Sequence, residues 1–233
     1  MLRARHALPL MFLAALSLGA DDAGCQSEAS SDVNQDRIYT SYWVVYDAET
    51  DQTFARAQFR FGSGIGTTLE LSDGAEVTFN GEVMPFNALL DWHEAIFAGR
   101  VEKGLFEYID VAGNVYVNEV PVIDDAALGD VPDTLSADSS FSLVWEGTPL
   151  GSDEMIEILL AHDANRFDFA RWEQRGVGTS SIVLSRDGLI SVEPGNAVLQ
   201  LRRWHDYKPA EAPEAGGKLT TTFHTTELPV ILE

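Results

Sequence analysis

Short segments in which apolar and polar residues alternate dominate the chain from Ile38 onward. Alternation interrupted by Gly, Asp, Asn and Pro is typical of β-strands with one buried face. No segment keeps the apolar period of a helix over three turns. The pattern therefore predicts an all-β chain. The predicted strands are 39–46, 54–61, 67–71, 75–79, 89–98, 105–109, 114–119, 141–145, 155–161, 167–173, 179–184, 189–192, 197–204 and 219–226.

Residues that tolerate positive φ separate several of these strands, and such pairs close tight hairpins. The predicted turns are Ser72-Asp73-Gly74, Asn80-Gly81, Ala112-Gly113-Asn114 and Arg186-Asp187-Gly188. Two strands, 89–98 and 155–161, also contain good helix formers. We interpret both as strands because their apolar residues alternate, as Ile156, Ile158 and Leu160 do.

Segment 124–140 contains five Asp, one Pro and no basic residue, which is the composition of a linker. Seven predicted strands lie on each side of it. This number fits two consecutive immunoglobulin-like β-sandwiches, at 37–125 and 126–233, each of about 100 residues. The alternative is one larger two-sheet sandwich that uses all the strands.

The N-terminus has the layout of a secretory signal peptide, which we place at 1–24. Arg3 and Arg5 precede the apolar run 7–18, which is shorter than the roughly 20 residues that a membrane-spanning helix needs. The chain's single Cys, Cys25, follows directly. Segment 25–36 contains one large apolar residue and is predicted to be a flexible tether.

Ala23-Gly24-Cys25, together with the strand rhythm, resembles bacterial cell-envelope lipoproteins built of β-sandwich domains. The resemblance implies a lipid on Cys25, and hence a membrane partner and an extracytoplasmic position at the cell envelope or outer membrane. Asp22 departs from the motif, because a branched apolar residue is expected there. Ordinary signal-peptidase cleavage, which gives a soluble secreted protein, and a retained apolar anchor are the alternatives.

Composition excludes several classes of function. Asp and Glu number 37 against 15 Lys and Arg, for a formal charge of -22. A nucleic-acid binder needs clustered bases, so no nucleic-acid partner is expected. One Cys excludes a disulfide framework and a Cys-rich zinc module. Because the acids are spread over the whole chain that follows the predicted signal peptide, we expect a soluble monomer without a concentrated charged patch.

Motifs for catalysis and phosphate binding are incomplete. His93-Glu94 lacks the second His of a zinc-protease helix, because Phe97 occupies that position. Gly62, Gly64 and Gly66 form a strand-connecting loop rather than a phosphate cradle, since no Lys follows them.

Two further groups of polar residues could carry chemistry if the fold assembled them. His162-Asp163 and His205-Asp206 lie at predicted strand ends, where solvated loop starts are the simpler interpretation. Asp47, Glu49 and Asp51 could offer oxygens to calcium, although a solvated acidic turn is the simpler interpretation. No catalytic, cofactor or metal residue is predicted, and Cys25 is the one predicted site.

The tryptophans suggest an alternative function, which is the binding of carbohydrate. Each of the five Trp falls within a predicted strand, where packing in the core is the default. Coplanar and exposed, they would form a sugar-binding platform, for which Trp204 is the best candidate because it borders the long loop 205–218. That loop is predicted to be mobile or to take part in recognition. The Trp residues are Trp43, Trp92, Trp145, Trp172 and Trp204.

The sequence thus predicts a non-enzymatic, envelope-anchored lipoprotein that acts as a binding or structural module, with a protein or glycan as its ligand. The alternative is a secreted carbohydrate-binding β-sandwich protein. A hydrolytic enzyme is a third hypothesis, which would require a cleft with convergent carboxylates or His.

Overall fold

The computed structural model describes residues 27–121 and 124–233, and in these ranges the chain is nearly all β-structure. The all-β prediction is confirmed. The first half contains β1 (Glu28–Ala29), β2 (Ile38–Asp47), β3 (Gln52–Phe61), β4 (Thr68–Glu70), β5 (Glu76–Phe79), β6 (Glu82–Val83), β7 (Phe86–Asn87), β8 (Trp92–Ala98), β9 (Gly104–Ile109) and β10 (Val115–Val120), with 3-10 turns at Ser30–Asp32 and Gln35–Arg37.

The second half adds nine strands and one turn of helix to the described chain. These are β11 (Ala126–Leu128), β12 (Thr134–Leu135), β13 (Phe141–Gly147), β14 (Glu154–His162), β15 (Asn165–Arg175), β16 (Ser181–Leu184), α1 (Arg186–Leu189), β17 (Gly195–Tyr207), β18 (Gly217–His224) and β19 (Leu228–Leu232).

Most strands belong to one large sheet, in which β1-β4-β3-β2-β18-β17-β14-β15 are neighbours in that order. β7 and β8 extend it beside β3, and β12 and β19 extend it beside β17. Two smaller sheets, β10-β9-β5-β6 and β11-β13-β16, complete the described β-structure. The large sheet therefore runs through both halves of the chain.

A parallel pairing between β2 and β18 makes the large sheet continuous. Its register runs from Thr40 opposite Gly217 to Asp47 opposite His224. β18 lies within the predicted second sandwich, 126–233, yet it hydrogen-bonds to the first. The boundary at 125/126 consequently does not divide the large sheet into two. Alternation along a strand shows which face is buried but does not show which strand lies beside it.

Two hydrophobic cores lie on one face of the large sheet, each beneath one of the small sheets. The first is rich in aromatic rings and includes Ile38, Tyr42, Phe59, Val77, Phe79, Phe106, Tyr108, Leu219 and Phe223. The second is mainly aliphatic and includes Leu143, Trp145, Leu150, Ile156, Ile158, Leu160, Trp172, Ile182, Leu184 and Leu199. Burying each large side chain contributes about 1.5–3 kcal/mol.

A buried ion pair lies where the two cores meet. Arg203 Nη2 is 2.7 Å from Glu154 Oε2, and both side chains are almost inaccessible to solvent. In the register of β17 and β18, Arg203 is opposite Phe223 of the first core. Burial alone would raise the pKa of Glu154, but hydrogen bonds from Arg203 and from the N–H of Gly151 lower it overall. The carboxylate therefore stays charged beside its partner.

The predicted tether at 25–36 differs from the structure over its described part, which begins at residue 27. Glu28–Ala29 pairs with Leu69–Glu70, so the segment adds an edge strand to the large sheet. Ser30 is fully buried, and its hydroxyl accepts a hydrogen bond from the N–H of Ser72. Polar residues order this segment through hydrogen bonds, an interaction that a count of apolar residues does not reveal.

The segment around residue 188 was also predicted wrongly. Neither the hairpin turn Arg186-Asp187-Gly188 nor the strand 189–192 is present, because Arg186–Leu189 forms the helical turn α1. Ser185 caps this turn by accepting a hydrogen bond from the N–H of Gly188. A Cβ at Gly188 would lie 2.5 Å from the Trp172 ring, so the absence of a side chain allows close packing.

Other local predictions agree with the structure. Asp73, Gly74, Asn80 and Gly81 all have positive φ, as tight hairpin turns require. The helix-like segment 154–161 is strand β14. The other segment with helix formers, 89–98, forms strand β8 from Trp92 to Ala98. A turn precedes this strand, and in it Asp91 has a φ of 58°.

We predict that a fragment comprising residues 27–125 will not fold alone. It lacks β18, which leaves the hydrogen-bonding edge of β2 unpaired and removes Leu219 and Phe223 from the first core. Circular dichroism and urea titration of the fragment should show no cooperative transition. Adding the complementary fragment 126–233 should restore one, whereas cooperative unfolding of 27–125 by itself would contradict the prediction.

Candidate functional site

The second face of the large sheet is covered by neither small sheet, and we call it the open face. Strand register places side chains from seven neighbouring strands on it. These include Trp92 and Glu94 of β8, Phe54, Arg56, Gln58 and Arg60 of β3, Trp43 and Val45 of β2, Lys218, Thr220, Thr222 and His224 of β18, Arg202, Trp204 and Asp206 of β17, Met155, Glu157 and Leu159 of β14, and Phe169, Arg171, Glu173 and Arg175 of β15.

Three of the five tryptophans lie on the open face with half-buried side chains: Trp43, Trp92 and Trp204. All three line one hollow of about 450 Å³. The other two, Trp145 and Trp172, are buried in the second core. The sequence interpretation of tryptophan as a core residue therefore holds for two positions, whereas the other three side chains belong to neither core.

Arg56 holds the rim of this hollow in a fixed position. Its Nε lies 2.6 Å from Glu94 Oε1, and its guanidinium carbon lies 4.9 Å from the centroid of the Trp92 ring. The same carbon lies 5.1 Å from the centroid of the Phe54 ring. Contacts with a carboxylate and two aromatic rings restrict the side chain, so little further entropy is lost if a ligand binds it.

Gln58 and Arg60 supply polar groups beside the tryptophans. Gln58 Nε2 donates to the carbonyl of Asp91 at 2.9 Å, and its Oε1 accepts from Arg60 Nε at 2.9 Å. Arg60 Nη1 also donates to the carbonyl of Gly66. These amide and guanidinium groups are planar and positioned by their neighbours, which suits hydrogen bonding to a polar ligand.

The charges of the open face are largely paired. Glu157 lies 3.2 Å from Arg202 and 3.7 Å from Arg171, and Lys218 lies 3.0 Å from Asp206. Within the described ranges the face nevertheless holds six of the chain's 15 Lys and Arg residues. They are Arg56, Arg60, Arg171, Arg175, Arg202 and Lys218. Acids and bases on the open face are therefore nearly balanced in number, although the protein as a whole is strongly acidic.

His224 is the last residue of β18 and lies on the open face, with its Nδ1 4.0 Å from Asp47 Oδ2. Burial, together with the positive charges of Arg202 and Arg56, lowers its pKa to about 3. The imidazole is therefore neutral near pH 7. A neutral His between two arginines limits the positive charge at this position.

The two predicted His-Asp pairs lie far apart. In the β14–β17 ladder, His205 is opposite Glu154 at one end, whereas His162 is opposite Ala197 at the other. Nine registered positions of extended strand correspond to about 27 Å. In the part of the chain that the structure describes, no group of three His, Cys, Asp or Glu is placed to hold a metal ion.

The acidic segment proposed for calcium is a hairpin turn stabilised by its own side chains. Asp47 Oδ1 accepts hydrogen bonds from the N–H groups of Glu49 and Thr50, and Asp51 Oδ1 accepts one from the Tyr46 hydroxyl. Glu49 Oε2 accepts from the N–H of Glu227. The carboxylates therefore accept hydrogen bonds from backbone N–H groups and from a tyrosine hydroxyl.

His93 and Glu94 point to opposite faces of β8. His93 is buried in the first core, where burial lowers its pKa and its Nδ1 lies 2.9 Å from the carbonyl oxygen of Met84. Glu94 faces Arg56 on the open face. Residues 62–67 connect β3 to β4, as predicted for the Gly62-Gly64-Gly66 segment.

The long loop predicted at 205–218 is shorter and better anchored than expected. β17 continues to Tyr207 and β18 begins at Gly217. Between them, Glu211 Oε2 accepts from the N–H of Val117 at 2.7 Å, and Glu211 N donates to Asn118 Oδ1. These contacts tie the loop to the small sheet over the first core rather than leaving it free.

No protein-family model and no curated protein matches the chain. A solved structure from work on "host cell surface retention of a 1.5-MDa bacterial ice-binding adhesin" aligns with 84% of this chain and 66% of that one, at 16% identity and a TM-score of 0.21. A likeness this weak carries no argument about function. In the described residues no helix is long and apolar enough to span a membrane.

We predict that His224 stays neutral in the folded protein well below pH 6.5. Because its pKa is depressed to about 3, the stability linked to the neutral ring is present above pH 6.5 and is lost as the pH falls toward 3. The proton resonances of the His224 ring should not shift between pH 7 and pH 4.5, and His224→Gln should lessen the loss of stability over that range. A midpoint near 6.5 would contradict this.

Proposed function

We propose that the protein is a non-enzymatic binding module that holds a glycan against its open face. The single observation that carries the proposal is the placement of three half-buried tryptophans around one hollow on a nearly charge-neutral sheet face. Two of these rings, Trp43 and Trp204, also line a second hollow of about 190 Å³ with Asp206 and Lys218. The hollows are thus neighbours rather than isolated pits.

Sugars have the chemistry that this surface would recognise. A pyranose ring offers an apolar face of C–H groups, which packs on an indole, and a rim of hydroxyl groups that both donate and accept hydrogen bonds. The ion-paired Arg56 and Glu94 and the amide of Gln58 provide both donors and acceptors beside the rings. A purely apolar ligand would shield these polar groups from water without using their remaining hydrogen-bonding capacity.

A binding role suits this surface better than a hydrolytic one. Catalysis of hydrolysis needs an acid and a base that are free to exchange protons with the substrate. On the open face Glu94 is held by Arg56, and Glu157 is held by Arg202 and Arg171. These contacts favour charged carboxylates that orient a ligand, so we keep the proposal of a non-enzymatic module.

Cys25 is proposed as the attachment site of a lipid that fixes the protein to the cell envelope. Cys25 lies outside the described residues, and the proposal rests on Ala23-Gly24-Cys25 and the apolar run before it. The first described strand lies close to Cys25 in the sequence, since β1 starts at Glu28. An anchored protein would therefore hold its sheet near the membrane surface, and a secreted form remains the alternative.

We predict that the protein is retained on an insoluble neutral polysaccharide and that Trp43→Ala weakens retention by about tenfold. A stacked aromatic ring contributes about 0.5–1.5 kcal/mol beyond the area it buries. The processed chain, which begins at residue 25 after removal of the predicted signal peptide, should carry Cys25→Ser. Its pull-down should be measured on cellulose, chitin, xylan and mannan. Phe167→Ala is the matched control, because Phe167 is an exposed aromatic residue of β15 and lies away from the hollow. Equal loss in both variants would contradict the proposed face.

We predict that Cys25→Ser moves the protein from the membrane fraction to the soluble fraction. The variant lacks the thiol that would carry the lipid, while the described fold, which begins at residue 27, is unaffected. Fractionation followed by immunoblotting measures the change, with Ser27→Ala as a neighbouring control. Unchanged partitioning of the Cys25 variant would overturn the lipid anchor and favour the secreted alternative.

A further inference from the structure

The three tryptophans of the open face lie on one diagonal of the strand register. Trp43 of β2 is opposite Arg56, which is opposite Glu94, and Trp92 lies two residues before Glu94 on β8. Trp43 is also opposite Thr220, and Trp204 is opposite Thr222, two residues further along β18. Each step therefore crosses two strands and advances two residues, in the same direction.

Sheet geometry converts this register into an even spacing. Two strand separations span about 10 Å and two residues of strand span about 7 Å, so each step is about 12 Å. Trp92, Trp43 and Trp204 thus follow one another at equal intervals on one face. Core packing does not require such regularity, because these side chains face away from both cores.

Tryptophans that are evenly spaced along a line suit a linear ligand whose binding groups repeat at regular intervals. A compact ligand such as a single sugar or a branched terminus would contact one ring, whereas an extended polysaccharide presents equivalent sugar faces at regular intervals. The indole N–H groups of Trp92 and Trp204 are buried without a hydrogen-bond partner. Their donors turn into the protein, which is consistent with binding through the ring surfaces.

The charge arrangement favours a neutral chain over an anionic one. The bases nearest the diagonal are paired, Arg56 with Glu94 and Lys218 with Asp206. A carboxylated or sulfated polymer would have to compete with these partners and approach a protein of formal charge -22. A neutral polysaccharide avoids both costs and can accept and donate hydrogen bonds along the paired side chains.

Resting on the proposed function, we infer that the open face binds one linear, neutral polysaccharide chain along this diagonal, with regularly spaced sugar rings stacked on Trp92, Trp43 and Trp204. The chain lies obliquely across strands β8, β3, β2, β18 and β17. Recognition is of the interior of a polymer, and affinity grows with the number of rings engaged.

The test uses the processed chain carrying Cys25→Ser. Its ligands are the two-unit and six-unit oligomers of the neutral polysaccharide that retains it, which is cellulose, chitin, xylan or mannan. Isothermal titration should give about 100-fold tighter binding of the six-unit oligomer. Trp92→Ala and Trp204→Ala, at the two ends of the diagonal, should each weaken six-unit binding by about tenfold, and their effects should be additive because the rings are well separated. Phe167→Ala is the control.

The outcomes separate this inference from the proposed function. Equal affinity for the two oligomers, with retention on the polysaccharide intact, would overturn the linear-chain inference and leave the glycan-binding function standing. Tighter, salt-sensitive binding of a polyuronate such as alginate would overturn the neutral class alone. No retention on any of the four polysaccharides would overturn the proposed function and the inference together.

Discussion

The parallel pairing of β2 with β18 is the interaction on which the rest of the structure depends. It joins the first long strand of the described chain to the last strand but one, and residues 40–47 and 217–224 are matched along its whole length. Without it the large sheet would separate into two smaller ones. With it, both cores lie on one face of a common sheet, and the buried Arg203–Glu154 pair occupies the junction between them. Long-range pairing of this kind carries a loop-closure cost that only the completed cores offset.

The open face is a consequence of that pairing. Trp43 and Trp92 come from the first half of the chain and Trp204 from the second, so no half contains the whole site. The ion pairs that balance charge on the face are formed across neighbouring strands, as between Arg56 and Glu94. A binding surface assembled across a continuous sheet is rigid, because the strands that carry Trp43, Trp92 and Trp204 are each hydrogen-bonded on both sides.

Local patterns were reliable wherever the determining interaction is itself local. The alternation of β14 outweighed its helix-forming residues, and Asn80-Gly81 adopted the positive φ that its turn requires. Two of the failures, by contrast, arise from contacts between residues that are far apart in the sequence. Residues 27–36 are ordered by hydrogen bonds to a segment some 40 residues away, such as Ser30 to Ser72. The loop after Tyr207 is fixed by Glu211 against Asn118, a contact across 93 residues.

The sequence by itself determined that the chain is all-β, which residues of each strand share a face, and where several of the tight turns fall, because these follow from the two-residue period and from local backbone sterics. Only the tertiary structure decided which of the two faces is open, since that depends on strand neighbours that the pattern does not encode. It also decided that Trp145 and Trp172 are buried whereas Trp43, Trp92 and Trp204 line up on the surface. All five tryptophans occupy strands of similar character, and only the packing of the sheets against one another distinguishes them.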